Sequence, residues 1–133
     1  MEGSAQTLLT PGNTDAALNS LNELRSHRIS NYTNLTLQSL PALSSKEIIK
    51  TDAEGKSLTP LLAMILEERR KELFLEGDRF YELKRNGTPE FWNAYNGLKY
   101  ATKAYMYTFP IPIQDILLTE GMEQNPGYTE ITD

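Results

Sequence analysis

The sequence predicts an all-α, or mostly α, fold, and three observations carry that expectation. Two stretches repeat apolar residues at helical spacing: Ala17, Leu18, Leu21 and Leu24, then Leu58, Leu62, Ile65, Leu66 and Leu73. Each is preceded by residues that suit a helix start. The one alternating stretch, Tyr105, Tyr107, Phe109 and Ile111, is interrupted by Pro110 and followed by Pro112, which argues against a full sheet.

The first helix is expected to follow Pro11-Gly12, with Asn13 or Thr14 as cap and Asp15 in the first turn, where a negative charge meets the positive end of the dipole. Arg25, His27 and Arg28 suit its C-terminal end. Ile29 to Leu43 is rich in Asn, Thr and Ser and reads as a loop. Ser44 with Glu47 reads as a capping box opening a short helix through Ile48 and Ile49, broken by Asp52-Ala53-Glu54-Gly55-Lys56. Thr59 then caps a long helix with Pro60 at its first position, where the missing N–H costs nothing. That helix is expected to run from Leu61 to Glu76 and to continue, kinked beyond Gly77, to Arg85. Asn86-Gly87 supplies a left-handed stop. An extended aromatic C-terminal segment follows, with a short helical turn from Gln114 to Leu118 and a turn at Asn125-Pro126-Gly127.

Composition narrows the function classes. A chain of 133 residues fits one domain, and its 39% apolar and 23% charged residues argue against wholesale disorder. A net charge of −5 disfavours nucleic acid, which needs a basic face. The absence of cysteine excludes disulfides, a thiolate zinc site and a cysteine-linked lipid on this chain as given. No apolar run approaches the roughly 20 residues of a membrane span. The N-terminus lacks the pattern of a signal peptide, and Met1-Glu2-Gly3-Ser4 reads as an artificial start. Neither a metal nor a cofactor is implied. His27, the sole histidine, reads as a favourable charge at a helix end rather than a ligand.

The densest charge lies in EERRKELFLEGDRFYELKRNG, Glu67 to Gly87. Wound at 100° per residue, Arg69 and Glu76 fall inside the apolar stripe of the long helix, with Glu67, Glu68, Arg70, Lys71 and Glu72 mostly outside it. An unpaired buried charge costs several kcal/mol, so each needs a partner. The two lie about 10 Å apart along the axis and are expected to pair elsewhere, with Arg79, backbone carbonyls or the aromatic tail. As a nucleic-acid patch, Arg69-Arg70-Lys71 is cancelled by Glu67, Glu68 and Glu72. As an acid–base pair, Glu72 and Glu76 lack any nucleophile or metal set. A structural ion network of Glu68, Arg69, Glu72, Glu76 and Arg79 explains the pattern with no further assumption.

The string ILEERRKELFLEGDRFYELKRNG closely resembles the C-terminal signature of the SusD-like (RagB/SusD) nutrient-binding lipoproteins, ERR-x-EL-x-x-EG-x-R-[FW]-x-DL-x-R-x-G. Glu68, Arg69, Arg70, Glu72, Leu73, Glu76, Gly77, Arg79, Phe80, Leu83, Arg85 and Gly87 all match. Gly12 to Arg28 resembles the second helix of that family's last tetratricopeptide-like hairpin, and FPIPIQDILLTEGMEQNPGY, Phe109 to Tyr128, resembles its terminal segment. Against the family tail, Asp115 stands for the usual acid and Thr119-Glu120 replaces Asn-Pro.

What the resemblance implies is a non-enzymatic role. Such proteins sit as lipid-anchored lids on a TonB-dependent, SusC-like outer-membrane transporter in polysaccharide utilisation. They bind oligosaccharides, or sometimes peptides, and pass them to the channel. The chain would be the C-terminal portion, 1–133 as one domain or fragment, mainly scaffold, on the cell surface. The family's ligand contacts are expected upstream, leaving Trp92 and Tyr95, an aromatic pair in a loop or short helix, as the candidates here. Capping the core beside Phe91 and Leu98 is the stronger reading for both. The alternative function is a protein-interaction or homo-oligomerisation module, using the face formed by Leu18, Leu21 and Leu24 unless Thr7 to Pro11 and the tail cover it.

Overall fold

The computed structural model describes residues 13–128. The expected lead-in at Pro11-Gly12 and the expected cover from Thr7 to Pro11 lie outside the described residues. The order is α1 (Thr14–Arg28), α2 (Pro60–Glu72), α3 (Asp78–Arg85), β1 (Phe91–Tyr95), β2 (Leu98–Thr102), a 3-10 turn (Ala104–Tyr107) and α4 (Ile113–Leu118). Mostly α is therefore right. The all-α expectation is corrected by one antiparallel hairpin, β1–β2.

α1 forms as its spacing predicts, although the Asn13 side chain makes no capping bond. Ala17, Leu18 and Leu21 are buried with Leu61 and Ile65 of α2. The apolar face offered above for oligomerisation is thus covered from within, and only Leu24 of the three remains half-buried. That correction removes the expected homo-oligomer contact. The loop after α1 is tied down by Asn22, whose Nδ2 donates to the Leu35 carbonyl (2.9 Å) and whose Oδ1 accepts from Leu35 N (2.8 Å) and Tyr32 Oη (2.6 Å). Leu35 and Leu40 then pack on the α1–α2 cluster.

No helix forms at Ser44. Ser44 Oγ accepts from Lys46 N (3.1 Å), which makes a turn, but Glu47 does not reach back to close the box. The β-branched Ile48-Ile49 instead leads into a small loop, closed by a bridge between Thr51 and Ser57. Asp52 Oδ1 folds it by accepting from Glu54 N and Lys56 N, each at 2.9 Å. Ile49 and Leu58 enter the larger core with Leu62, Leu66, Leu83 and Tyr107.

Thr59 caps α2 as expected, its Oγ1 accepting from Leu62 N at 3.2 Å. The long kinked helix, however, is two helices. The path breaks after Glu72, with Leu75 at φ +67° and Gly77 at φ +76°, both left-handed. Such a conformation costs Leu about 1–2 kcal/mol and glycine little. α3 ends as the sequence predicts: Gly87 sits at φ +84° and Thr88 N donates to the Leu83 carbonyl at 3.1 Å, a Schellman closure.

The hairpin turns on Asn96 (φ +48°) and Gly97 (φ +74°), the two-residue turn whose twist matches paired strands. Beyond it Tyr107 is buried, its Oη donating to the Pro89 carbonyl at 2.8 Å. Phe80 stacks on Phe109 at 5.3 Å between centroids. The tail then clamps itself. Gln124 Oε1 accepts from Ile111 N (2.7 Å) while its Nε2 donates to Ile111 O (2.9 Å), giving that residue between two prolines a pair of bonds it cannot find in a sheet. Asn125 Nδ2 donates to Phe109 O (2.7 Å) and Tyr128 Oη to Thr108 O (2.8 Å).

Candidate functional site

Two places gather functional side chains: the charged helices α2 and α3, and the exposed hairpin. On the helices, the break at Leu73 to Gly77 folds α3 back so that Asp78 and Glu82, one turn apart, both face Arg69. Arg69 NH2 donates to Asp78 Oδ2 (2.6 Å) and its Nε to Glu82 Oε1 (3.3 Å), while Arg79 NH1 donates to Glu82 Oε2 (2.5 Å). Glu82 is 2% exposed and Arg69 9%. The tetrad carries two charges of each sign, which is what allows Arg69 and Glu82 to be buried, while Asp78 and Arg79 stay partly exposed.

A second set joins α2 to α1. Glu68 accepts from Arg25 and from Lys71. Glu72 takes Arg28 as a fork, Nε to Oε1 at 2.8 Å and NH2 to Oε2 at 2.7 Å. Glu68 and Glu72 lie one turn apart, as do Arg25 and Arg28 nearly so, and the two helices are pinned by this ladder. Arg25 and Arg28, read above only as charges at a helix end, thus act across the fold.

Glu76 departs from the expected network. It is exposed and forms no ion pair among the described residues, because the left-handed Leu75 turns the chain away from the stripe that continuous winding assumed. Glu68, Arg69, Glu72 and Arg79 are brought into ion pairs; Glu76 is not. Asp78 and Glu82 were missed. Their signal was the i, i+4 spacing of two acids within the eight residues of α3.

The same geometry speaks against acid–base chemistry. Glu72 borders a groove of about 220 Å³ lined by Leu21, Leu24, Ile65 and Leu73, but Glu76 does not line it. The fork to Arg28 also holds the Glu72 carboxyl below the usual carboxylate range, making it a poor proton acceptor. His27 is exposed, its Nδ1 2.8 Å from the Glu23 carbonyl oxygen. Among the described residues no group of three metal-ligating side chains assembles.

The hairpin overturns the core-capping reading of Trp92 and Tyr95. They are 62% and 68% exposed, and Leu98 is 60% exposed; only Phe91 of the group packs against the core. Nor are they a pair. The register Trp92↔Ala101, Ala94↔Lys99 and Tyr95↔Leu98 puts residues three apart on opposite faces. Trp92 shares its face with Ala94, Lys99 and Ala101, and the Lys99 ammonium stands 4.3 Å from the centre of the indole. Tyr95 shares the other with Asn93, Leu98, Tyr100 and Thr102, where Asn93 Nδ2 donates to Thr102 Oγ1 at 2.6 Å. Lys99 was missed because Asn96-Gly97 was not used to set the register.

A self-clamped tail, ion pairs that join α1, α2 and α3, and a solvent-facing aromatic hairpin are thus the features that set this chain apart. The sequence model of the SusD family matches residues 5–128, and the chain belongs to that family. No curated protein and no solved structure matches it significantly. The family comprises nutrient- and glycan-binding proteins rather than enzymes, associated with the outer-membrane surface.

Proposed function

We propose that the chain is the C-terminal scaffold of a cell-surface nutrient-binding lipoprotein, one domain built on a tetratricopeptide-like helix, that delivers oligosaccharide or peptide to a TonB-dependent, SusC-like transporter. The family match across residues 5–128 is the observation that carries this reading. The tetrad and the α1–α2 ladder support the scaffold role, because they fix three helices without presenting a reactive group. The exposed rings of Trp92 and Tyr95 support a ligand contact, since an aromatic face in water is what a sugar's apolar side stacks on. They stand on opposite faces of the hairpin, so each would act alone.

Isolation of the native protein from outer membranes under mild detergent tests the assignment. Co-purification with a TonB-dependent porin at near-equal stoichiometry is expected. Fractionation away from the outer membrane, with no porin attached, would contradict it.

A further inference from the structure

We propose that the Trp92 face of the hairpin selects sugars bearing a carboxylate, such as uronic acid residues, with Lys99 as the group that recognises the charge; this rests on the reading of the hairpin as a ligand contact. The site is small and built from strand alternation. Trp92 is flanked on its own face by Ala94 and Ala101, whose methyl groups crowd the indole little, while Lys99 lies over one side of the ring. A flat, raised ring is what the C–H face of a pyranose packs against.

Lys99 gives the ring its selectivity. Lys56, Lys71 and Lys103 are each held by a carboxylate, the last by Glu90 at 2.9 Å. Lys99 forms no ion pair among the described residues and rests on the indole instead, diagonally across the strands. Glu90 is the one acid between Pro89 and Lys103, and both its oxygens are engaged, by Lys103 Nζ and by Ala104 N. An unneutralised cation is therefore exposed on a chain whose net charge is −5.

A neutral sugar approaching the occupied indole face must displace the ammonium and offers it only neutral hydroxyl acceptors in return. A uronate stacks in its place and pairs its carboxylate with the displaced ammonium, a charge-assisted bond. A polyanion such as nucleic acid needs several cations along one surface, which this face lacks. The opposite face, Tyr95, Leu98 and Tyr100, carries no charge and takes no part in the selection.

Trp92 is the sole tryptophan of the chain, so its fluorescence reports this site alone. The whole chain is titrated with trigalacturonate and with cellotriose. The expected result is an emission change with trigalacturonate at a midpoint in the low millimolar range, about tenfold below that for cellotriose. Lys99→Met should remove that preference by weakening only trigalacturonate, with its urea midpoint unchanged as a check on folding. Raising salt from about 50 to about 500 mM should weaken trigalacturonate alone. Equal midpoints for the two sugars would overturn the acid selection while leaving the hairpin as a ligand contact. No response to either sugar would overturn the ligand contact itself and this inference with it. A preference that survives Lys99→Met would assign the recognition to other cations and overturn the role given to Lys99.

Discussion

The charged helices and the aromatic hairpin invert the usual placement of side chains. In α2 and α3, Arg69 and Glu82 are buried; in β1 and β2, Trp92, Tyr95 and Leu98 face water. Both departures from burying the apolar and exposing the charged have a cost, and the way each is met differs. The buried charges are compensated inside the chain, sign for sign, and so they fix one geometry. The exposed rings are compensated by little beyond Lys99 and the Asn93–Thr102 bond. Compensation within the chain marks scaffold; its lack marks a surface available to something else.

The comparison is broken most forcefully at Arg69. Arg69→Ala leaves Glu82 buried beside a single remaining guanidinium and Asp78 without its partner. Truncating one member of a buried ion cluster costs about 3–5 kcal/mol, and urea unfolding should show a loss of that size. A smaller but still clear effect is expected from Gly87→Ala. A Cβ there would run into Thr51 Oγ1, in a backbone at φ +84° that alanine resists, so about 1–3 kcal/mol should be lost in the same measurement.

Acid should weaken the ion pairs of the helices. The Arg70 guanidinium bonded to Glu67 holds that carboxyl below its ordinary value of 4.5, and Arg28 does the same for Glu72. Because the folded-state value is depressed, the contribution is complete above the unfolded value and fades as pH falls through the folded one. The urea midpoint should therefore decline modestly from about pH 5 to about pH 3, and 0.5 M salt should blunt the decline at these partly exposed pairs. At the other extreme, Trp92→Ala and Tyr95→Ala should each change stability by less than about 0.5 kcal/mol, since neither ring is packed. A larger loss would return them to the core.

Much of this was legible in the sequence, for a definable reason. The Thr59-Pro60 start of α2, the Asn86-Gly87 stop of α3 and the apolar faces of α1 and α2 depend on residues within one or two turns of each other. Arg69 was legible too, since a charge inside an apolar stripe demands a partner. Apart from the hairpin, the misses share one cause: each needed a chain direction that local pattern does not give. α2 ends at Glu72, and Leu75 at φ +67°, where nothing in its side chain announces a turn, moves Glu76 out to solvent and brings Asp78 and Glu82 to Arg69. The capping box at Ser44 failed because the Asp52 turn and the burial of Ile49 favour an extended approach. The hairpin alone was readable and unread. Asn96-Gly97 between aromatic runs sets the register, and with it the opposite faces of Trp92 and Tyr95 and the place of Lys99.

A double-mutant cycle between Arg69 and Glu82, followed by urea unfolding of Arg69→Met, Glu82→Gln and the combined variant, tests the scaffold assignment most directly. A coupling energy above about 2 kcal/mol is predicted, because each side chain is buried against the other and neither can turn to water. A coupling below about 0.5 kcal/mol would mean that the charged helices are held by their apolar faces alone, and that the conspicuous ions of this chain have another purpose.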